Sequence, residues 1–246
     1  MTTIKLENLT LKYANDQDNI VENINVTFRP GEMVAIIGAS GVGKSTLFKA
    51  LVRQLQPATG KVIIFDQDIN QIQRKVWANT LKHIGFLTQK PNLIVTDTVM
   101  QNILRSVNDY ENWFFKLINF VTIQQRKKIL SILDKLGMID KTFFRISELS
   151  GGQQQRVEIA KLLFRQSKII LADEPTSSLD FNTATEVLNT LNTLKTEQQL
   201  TILVNIHDLS LINSHFDRVL GLKNKQIVLD APIDKITQQD LESVLN

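Results

Sequence analysis

The apolar positions change their period along the chain, and each change predicts a change of structure. Residues 4–13 alternate, with Ile4, Leu6, Leu9, Leu11 and Tyr13 as the nonpolar positions around a slip at Asn8. Ile24, Val26 and Phe28 alternate again. Period two marks a strand with one buried face, so this part reads as antiparallel sheet, with polar turns at 15–19 and 29–32. Met33–Ile37 is instead a short continuous apolar run, which suits a strand buried on both faces. Helical spacing comes next over 46–55, and strands are expected at 60–65 and 84–89. From Lys90 to Arg165 the buried β runs stop, and helices are expected over 99–107, 124–136 and 153–165. Buried strands return at Ile169–Ala172 and Thr201–Ile206, with a helix over 182–195 between them. Beyond Asp230 only a short tail is expected. Alternating strands and helices imply a parallel sheet with crossover helices.

Composition narrows the class only a little. The 246 residues are 43% hydrophobic and 22% charged, ordinary values for a folded chain with a sizeable core. A net charge of +3 is too weak to argue for nucleic acid, and none is expected as a partner. The absence of cysteine excludes disulfides, thiolate metal sites and cysteine catalysis. The stretch Met1–Lys5 has no apolar core of a secretory signal, and no window holds the roughly 18–20 apolar residues of a membrane span. A soluble chain is therefore expected, and any transport role would need a separate membrane-spanning partner.

Two segments read phosphate. Gly38-Ala39-Ser40-Gly41-Val42-Gly43-Lys44-Ser45-Thr46 lies between a buried strand and a helix, the context a phosphate-binding loop requires. Its backbone N–H groups are expected to wrap the phosphates of a nucleotide, Lys44 to reach the β- and γ-phosphates, and Ser45 to place its hydroxyl on Mg²⁺. Ser150-Gly151-Gly152-Gln153 opens a second helix, whose N-terminus is an anion site by its free N–H groups. Two such readers suggest two surfaces that close around one kind of ligand. Asp173 and Glu174 come directly after the buried run Ile169–Ala172, at the strand end where open α/β sheets bind ligands. Asp173 is the expected Mg²⁺ contact through water, and Glu174 the base that polarises an attacking water.

The order and spacing of GASGVGKST at 38–46, Gln89, LSGGQ at 149–153, ILADEP at 170–175, SSLD at 177–180 and His207 resemble the ATP-binding subunits of ABC transporters. The resemblance covers about Tyr13 to Asp230. It implies an α/β fold: a P-loop NTPase core with an antiparallel β flank and an inserted α-helical subdomain, the ABC ATPase. One domain would span 1–246, with its core at about 1–89 and 166–246 and the helical subdomain at about 90–165. The resemblance further implies that Tyr13 stacks on adenine, that Gln89 contacts Mg²⁺ and water and senses the transport partner, and that His207 contacts the γ-phosphate. Catalysis would rest on Glu174, His207, Lys44 and Gln89, with Ser45, Gln89 and Asp173 toward the metal. Subunits of this family pair head to tail on ATP, so Ser150 and Gly152 of one would face Lys44, Glu174 and His207 of the other, and 178–180 would cross the interface. Thr88 and Ser178 depart from the aromatic and alanine residues frequent in relatives.

The implied function is ATP hydrolysis coupled to solute import through membrane permease subunits, with an extracytoplasmic solute-binding protein, at the cytoplasmic face of the membrane. The alternatives are an export, lipoprotein-release or cell-division ATPase, or a non-transport ATPase of the same family. The texture of Ile170–Pro175, Leu203–His207 and Asp217–Leu222 resembles phosphonate-type import ATPases. Trp113–Val121 reads either as core or as a surface for the membrane partner. His83 and His215 are expected at the surface.

Overall fold

The computed structural model describes residues 3–13, 18–106 and 122–245. The alternating N-terminal segments form an antiparallel sheet. β1 (Ile4–Leu11) pairs with β2 (Val21–Phe28) and β4 (Pro57–Ile64), and β5 (Gln67–Asp68) closes the order β2-β1-β4-β5. The slip at Asn8 is a bulge. Asn8 adopts a left-handed backbone, φ 47°, and the register of β1 shifts between Leu6 and Leu9. The extra residue lets Leu6 and Leu9 both reach the core.

The continuous apolar runs form a second sheet. It contains β3 (Met33–Ile37), β6 (Ile84–Thr88), β7 (Ile169–Asp173), β8 (Thr201–Asn205), β9 (Arg218–Lys223) and β10 (Gln226–Pro232), in the order β10-β9-β3-β8-β7-β6. All neighbours run parallel except β10 and β9. Period two persists inside these runs, because both faces are buried. Met33, Ala35, Ile37, Ile170, Ala172, Ile202 and Val204 enter one core, while Val34, Ile36, Ile169, Leu171 and Leu203 enter the other. The second core is shared with the antiparallel sheet and α1 (Lys44–Leu51).

The first core is shared with α3 (Val99–Arg105), α4 (Ile123–Lys135), α5 (Gly151–Phe164) and α6 (Phe181–Gln198). Three of these helices open on one device. Thr98 with Gln101, Thr122 with Gln125, and Ser150 with Gln153 each form a capping box, in which hydroxyl and amide satisfy one another's backbone N–H groups. This is why α5 begins at Gly151, two residues before the periodicity predicts. α1 likewise begins at Lys44 and ends at Leu51, where Arg53 turns left-handed at φ 57°. Val107 and the turn residues 15–17 lie outside the described residues, as does Trp113–Val121.

Three sequence expectations change. A helix α2 (Arg74–Lys82), with no buried residue, was not evident in the periodicity. The segment beyond Asp230 is not a bare tail. α8 (Gln238–Leu245) buries Leu241 and Val244 beside β9. Two such side chains stabilise by about 1.5–3 kcal/mol each. His215 is not a surface residue. It closes the short helix α7 (Ile212–His215), is 5% exposed, and its Nδ1 has no hydrogen-bond partner among the described residues. His83 does lie exposed, its ring edge-on to Phe65. Among the described residues no helix is long and apolar enough to cross a membrane.

Burial holds the His215 imidazole below its ordinary value of 6.5. The unfolded chain therefore binds a proton more readily, and stability contributed by the neutral ring is present above 6.5 and lost as pH falls below it. The melting temperature of the parent should drop between about pH 7 and pH 5 more steeply than that of His215→Leu, measured by circular dichroism in matched buffers. Equal slopes for the two proteins would contradict this.

Candidate nucleotide site

The site is built by register. Ile36 of β3 pairs with Asn205 of β8, Asn205 with Asp173 of β7, and Asp173 with Thr88 of β6. Four parallel strands thus end in one row, and the connection leaving each strand emerges at the same edge. These connections carry the loop at 38–46, His207, Glu174 and Gln89. Ligands of open α/β sheets bind at this edge.

The loop crosses close to β9. A Cβ on Gly38 would lie 2.4 Å from the Leu222 carbonyl oxygen, so the backbone can pass only without a side chain. Ala39, Ser40 and Gly41 are exposed, whereas Lys44 is 6% exposed. The Lys44 ammonium donates to the carbonyls of Gly38 at 2.6 Å and Ala39 at 3.1 Å. Burial pushes its pKa down, and the carboxylates of Glu174 and Asp173 oppose that shift. The loop therefore holds a cation within its own turn, facing two acids across the row. Tyr13 sits beside this loop: its hydroxyl is 3.5 Å from Thr46 Oγ1 and accepts from Lys49 Nζ at 3.1 Å, which also lies over the ring.

Asp173 is the hub. Its Oδ1 accepts from Ser45 Oγ at 3.1 Å and from Asn205 Nδ2 at 2.7 Å. An open cleft of about 380 Å³ is lined by Ser45, Thr88, Gln89, Lys90, Asp173 and Glu174. Asn205 is a site residue that sequence reasoning passed over. It is fully buried, its side chain holds Asp173, and its carbonyl accepts from Glu174 N at 3.1 Å. The available signal was a lone amide within the apolar run Thr201–Ile206.

Glu174 leaves the strand with a left-handed backbone, φ 53°, a conformation costing a non-glycine residue about 1 kcal/mol. His207 Nε2 lies 2.7 Å from Glu174 Oε1. With Nε2 carrying the proton, the imidazole donates to the carboxylate and fixes its direction. A second cleft of about 260 Å³, bordered by Ser177, Leu179, Phe181 and Asp208, opens on the other side of this pair.

The segment 150–153 stands apart from the loop at 38–46. Ser150 Oγ accepts from Gln153 N at 3.3 Å, and Gln153 Oε1 accepts from Ser150 N at 3.0 Å, so the Gln153 side chain serves the helix cap. Among the described residues no hydrogen bond joins 150–153 to the loop at 38–46. The α5 N-terminus instead packs on that of α6. Asp180 caps α6, accepting from Thr183 N at 3.0 Å and Thr183 Oγ1 at 2.7 Å. These bonds aim the Thr183 methyl at Gly152, where a Cβ would lie 2.2 Å from Thr183 Cγ2.

Comparison with known proteins supplies the frame for this geometry. The family model described as ABC transporter matches residues 21–177. The chain is 36% identical over 226 residues to a probable ABC transporter ATP-binding protein p29 of Mesomycoplasma hyorhinis, covering 92% of this chain and 90% of that protein. It is 35% identical over 244 residues to the phosphonates import ATP-binding protein PhnC 2 of Oceanobacillus iheyensis, covering 99% and 96%. Among solved structures, a dimeric post-hydrolysis ATP-binding cassette bound to ADP and Pi superposes with a TM-score of 0.77 at 29% identity, covering 94% of this chain and 99% of that one.

Gly152→Ala should destabilise the fold by about 1–3 kcal/mol, because the new methyl overlaps Thr183. Thr183→Ser keeps the hydroxyl bond to Asp180 and removes the methyl, so the double variant should recover most of the loss in urea unfolding. No recovery would mean that the contact is not the cause.

Proposed function

The chain belongs to the ABC transporter family as an ATP-binding, ATP-hydrolysing subunit, and we propose that it energises import of a phosphonate or a similar small phosphorylated compound through separate membrane permease subunits. The observation that carries the hydrolytic part is the meeting of Ser45, Asp173, Glu174 and His207 at one row of strand ends. Relatives named for phosphonate import support the substrate class.

In this reading the core at about 1–89 and 166–246 binds nucleotide, with Tyr13 against the base and the backbone from Gly38 to Thr46 around the phosphates. Lys44 neutralises phosphate charge. Ser45 Oγ, the Asp173 carboxylate and the Gln89 amide offer hard oxygen donors in one cleft, which fits Mg²⁺ bound through few protein ligands, phosphates and water. A Mg²⁺ held by these residues would supply neutralisation of phosphate charge. Glu174 orients the attacking water and accepts its proton. His207 holds the Glu174 carboxylate in line and would contact the γ-phosphate.

Ser150, Gly151 and Gly152 do not meet the phosphate loop of their own chain. They read the γ-phosphate of a second copy, head to tail, so that two ATP molecules are shared about a two-fold axis. Residues 178–180, beside the α5 N-terminus, cross that interface. Gln89, in the cleft it shares with Ser45 and Asp173, also senses the permease. The assembly lies on the cytoplasmic side of the membrane, with an extracytoplasmic solute-binding protein delivering the solute.

Glu174→Gln should lower ATP hydrolysis by about a hundredfold or more while leaving ATP affinity within about twofold, because the amide keeps size but accepts no proton. With ATP and Mg²⁺ this variant should elute as a dimer in size-exclusion chromatography, and a further Ser150→Arg should return it to monomer. Near-parent hydrolysis would remove Glu174 from its role, and a monomer at saturating ATP would remove the head-to-tail arrangement.

Cells lacking this subunit should lose ATP-dependent uptake of radiolabelled phosphonate, restored by the parent chain and not by Lys44→Ala. Unchanged phosphonate uptake alongside loss of another solute would overturn the substrate while leaving the ATPase in place.

A further inference from the structure

α5 carries a second feature five residues beyond Ser150. Gln155 is 1% exposed, and its Nε2 lies 3.1 Å from the Thr88 carbonyl, 3.4 Å from the Gln89 carbonyl and 3.0 Å from the Pro175 carbonyl. Three carbonyl oxygens converging on one terminal atom fix the amide orientation, since only the NH₂ end can face them. The cost is visible at the other end, where Oε1 is buried without a hydrogen-bond partner among the described residues.

The three carbonyls belong to places the chemistry uses. Thr88 ends β6 and precedes Gln89, while Pro175 is the residue after Glu174. These backbone segments come from strands neighbouring in the sheet, and Gln155 ties both to the helix that begins at Ser150. The preceding residue secures that helix to its own approach: Gln154 Nε2 donates to Ile146 at 3.3 Å and Leu149 at 3.1 Å. The Ser150 end is thereby joined to the Gln89 backbone and to the residue after Glu174 across about one and a half turns of helix.

We propose that Gln155 is a positioning residue for ATP hydrolysis, which fixes Gln89 and Glu174 relative to each other and to the Ser150 end of α5. It touches no nucleotide and acts only through the backbone it holds at Thr88, Gln89 and Pro175. The inference rests on Glu174 and Gln89 serving hydrolysis under the proposed function. Its physical content is donation: two N–H groups shared among three acceptors. An isosteric carboxylate would place negative charge against three carbonyl oxygens, and a thioether would fill the space with no donor at all. A protonated carboxyl would regain one donor.

The test uses the full chain with ATP and Mg²⁺, comparing the parent with Gln155→Met and Gln155→Glu at a temperature where circular dichroism shows all three folded. Both variants should bind ATP within about twofold of the parent, while kcat falls about tenfold and the Mg²⁺ concentration for half-maximal rate rises. Relative to the parent at each pH, Gln155→Glu should recover rate as pH falls, and Gln155→Met should not. A role in packing alone would lower the melting temperature without the Mg²⁺ shift or the pH-dependent difference. Parent-like kcat and Mg²⁺ dependence in Gln155→Met would overturn the inference, as would the same pH profile in both variants. Should Gln155→Met not fold, the pH profile of Gln155→Glu against the parent decides alone. A parent that hydrolyses ATP beside unaffected variants would remove only this inference, whereas a parent without hydrolysis would remove the function on which it rests.

Discussion

Everything at the site depends on the alignment of four parallel strands that stop together. Ile36, Asn205, Asp173 and Thr88 occupy one row because β3, β8, β7 and β6 pair in continuous register. Parallel pairing sends each outgoing segment away at the same edge, so four short connections meet although they are far apart in sequence. A slip of one residue in β7 would exchange the faces of Ile170 and Leu171 between the two cores and move Asp173 off the row. The two-sided burial that makes these strands apolar is therefore also what locates the chemistry.

Within that row a buried amide sets the alignment. Asn205 lies inside the sheet, and its Oδ1 is buried without a hydrogen-bond partner among the described residues, a cost of about 1–3 kcal/mol. Its Nδ2 is used on Asp173 and its carbonyl on Glu174 N. One residue thus sets the carboxylate that receives Ser45 and the turn that throws Glu174 toward His207. Glu174 then has little freedom, with its backbone left-handed and its carboxylate held by imidazole. A carboxylate held in this way has little left to reorganise.

The Ser150 end of α5 obeys a different constraint, close approach of helices. α5 can lie against α6 only because Gly152 has no Cβ to meet Thr183, and Thr183 is itself fixed by Asp180. The same packing that seats α5 turns Ser150 away from the phosphate loop of its own chain. Under the proposed function, each of these two surfaces is completed by a second copy. Within one chain α5 bridges the two, its side chains reaching both its own N-terminal approach and the strand ends.

Local chemistry was legible in the sequence wherever it depends on neighbours along the chain. The period-two segments, the buried runs, the glycine loop at 38–46 between strand and helix, the helix that opens after Ser150 and the acids after Ile169–Ala172 are consequences of spacing and residue type, and even the bulge at Asn8 shows itself as a slip. What the sequence could not decide were matters settled by partners distant in the chain. His215 looked like a surface residue because nothing local says that α7 is covered. The segment beyond Asp230 looked like a tail because Leu241 and Val244 declare themselves only against β9. Asn205 and Gln155 looked like ordinary polar positions, and their roles exist only because the sheet brings Asp173, Thr88 and Pro175 to them. A covalent chain fixes which residues are adjacent and what period they share, whereas hydrogen-bond direction, burial and the meeting of strand ends depend on register between segments, which only the folded structure sets.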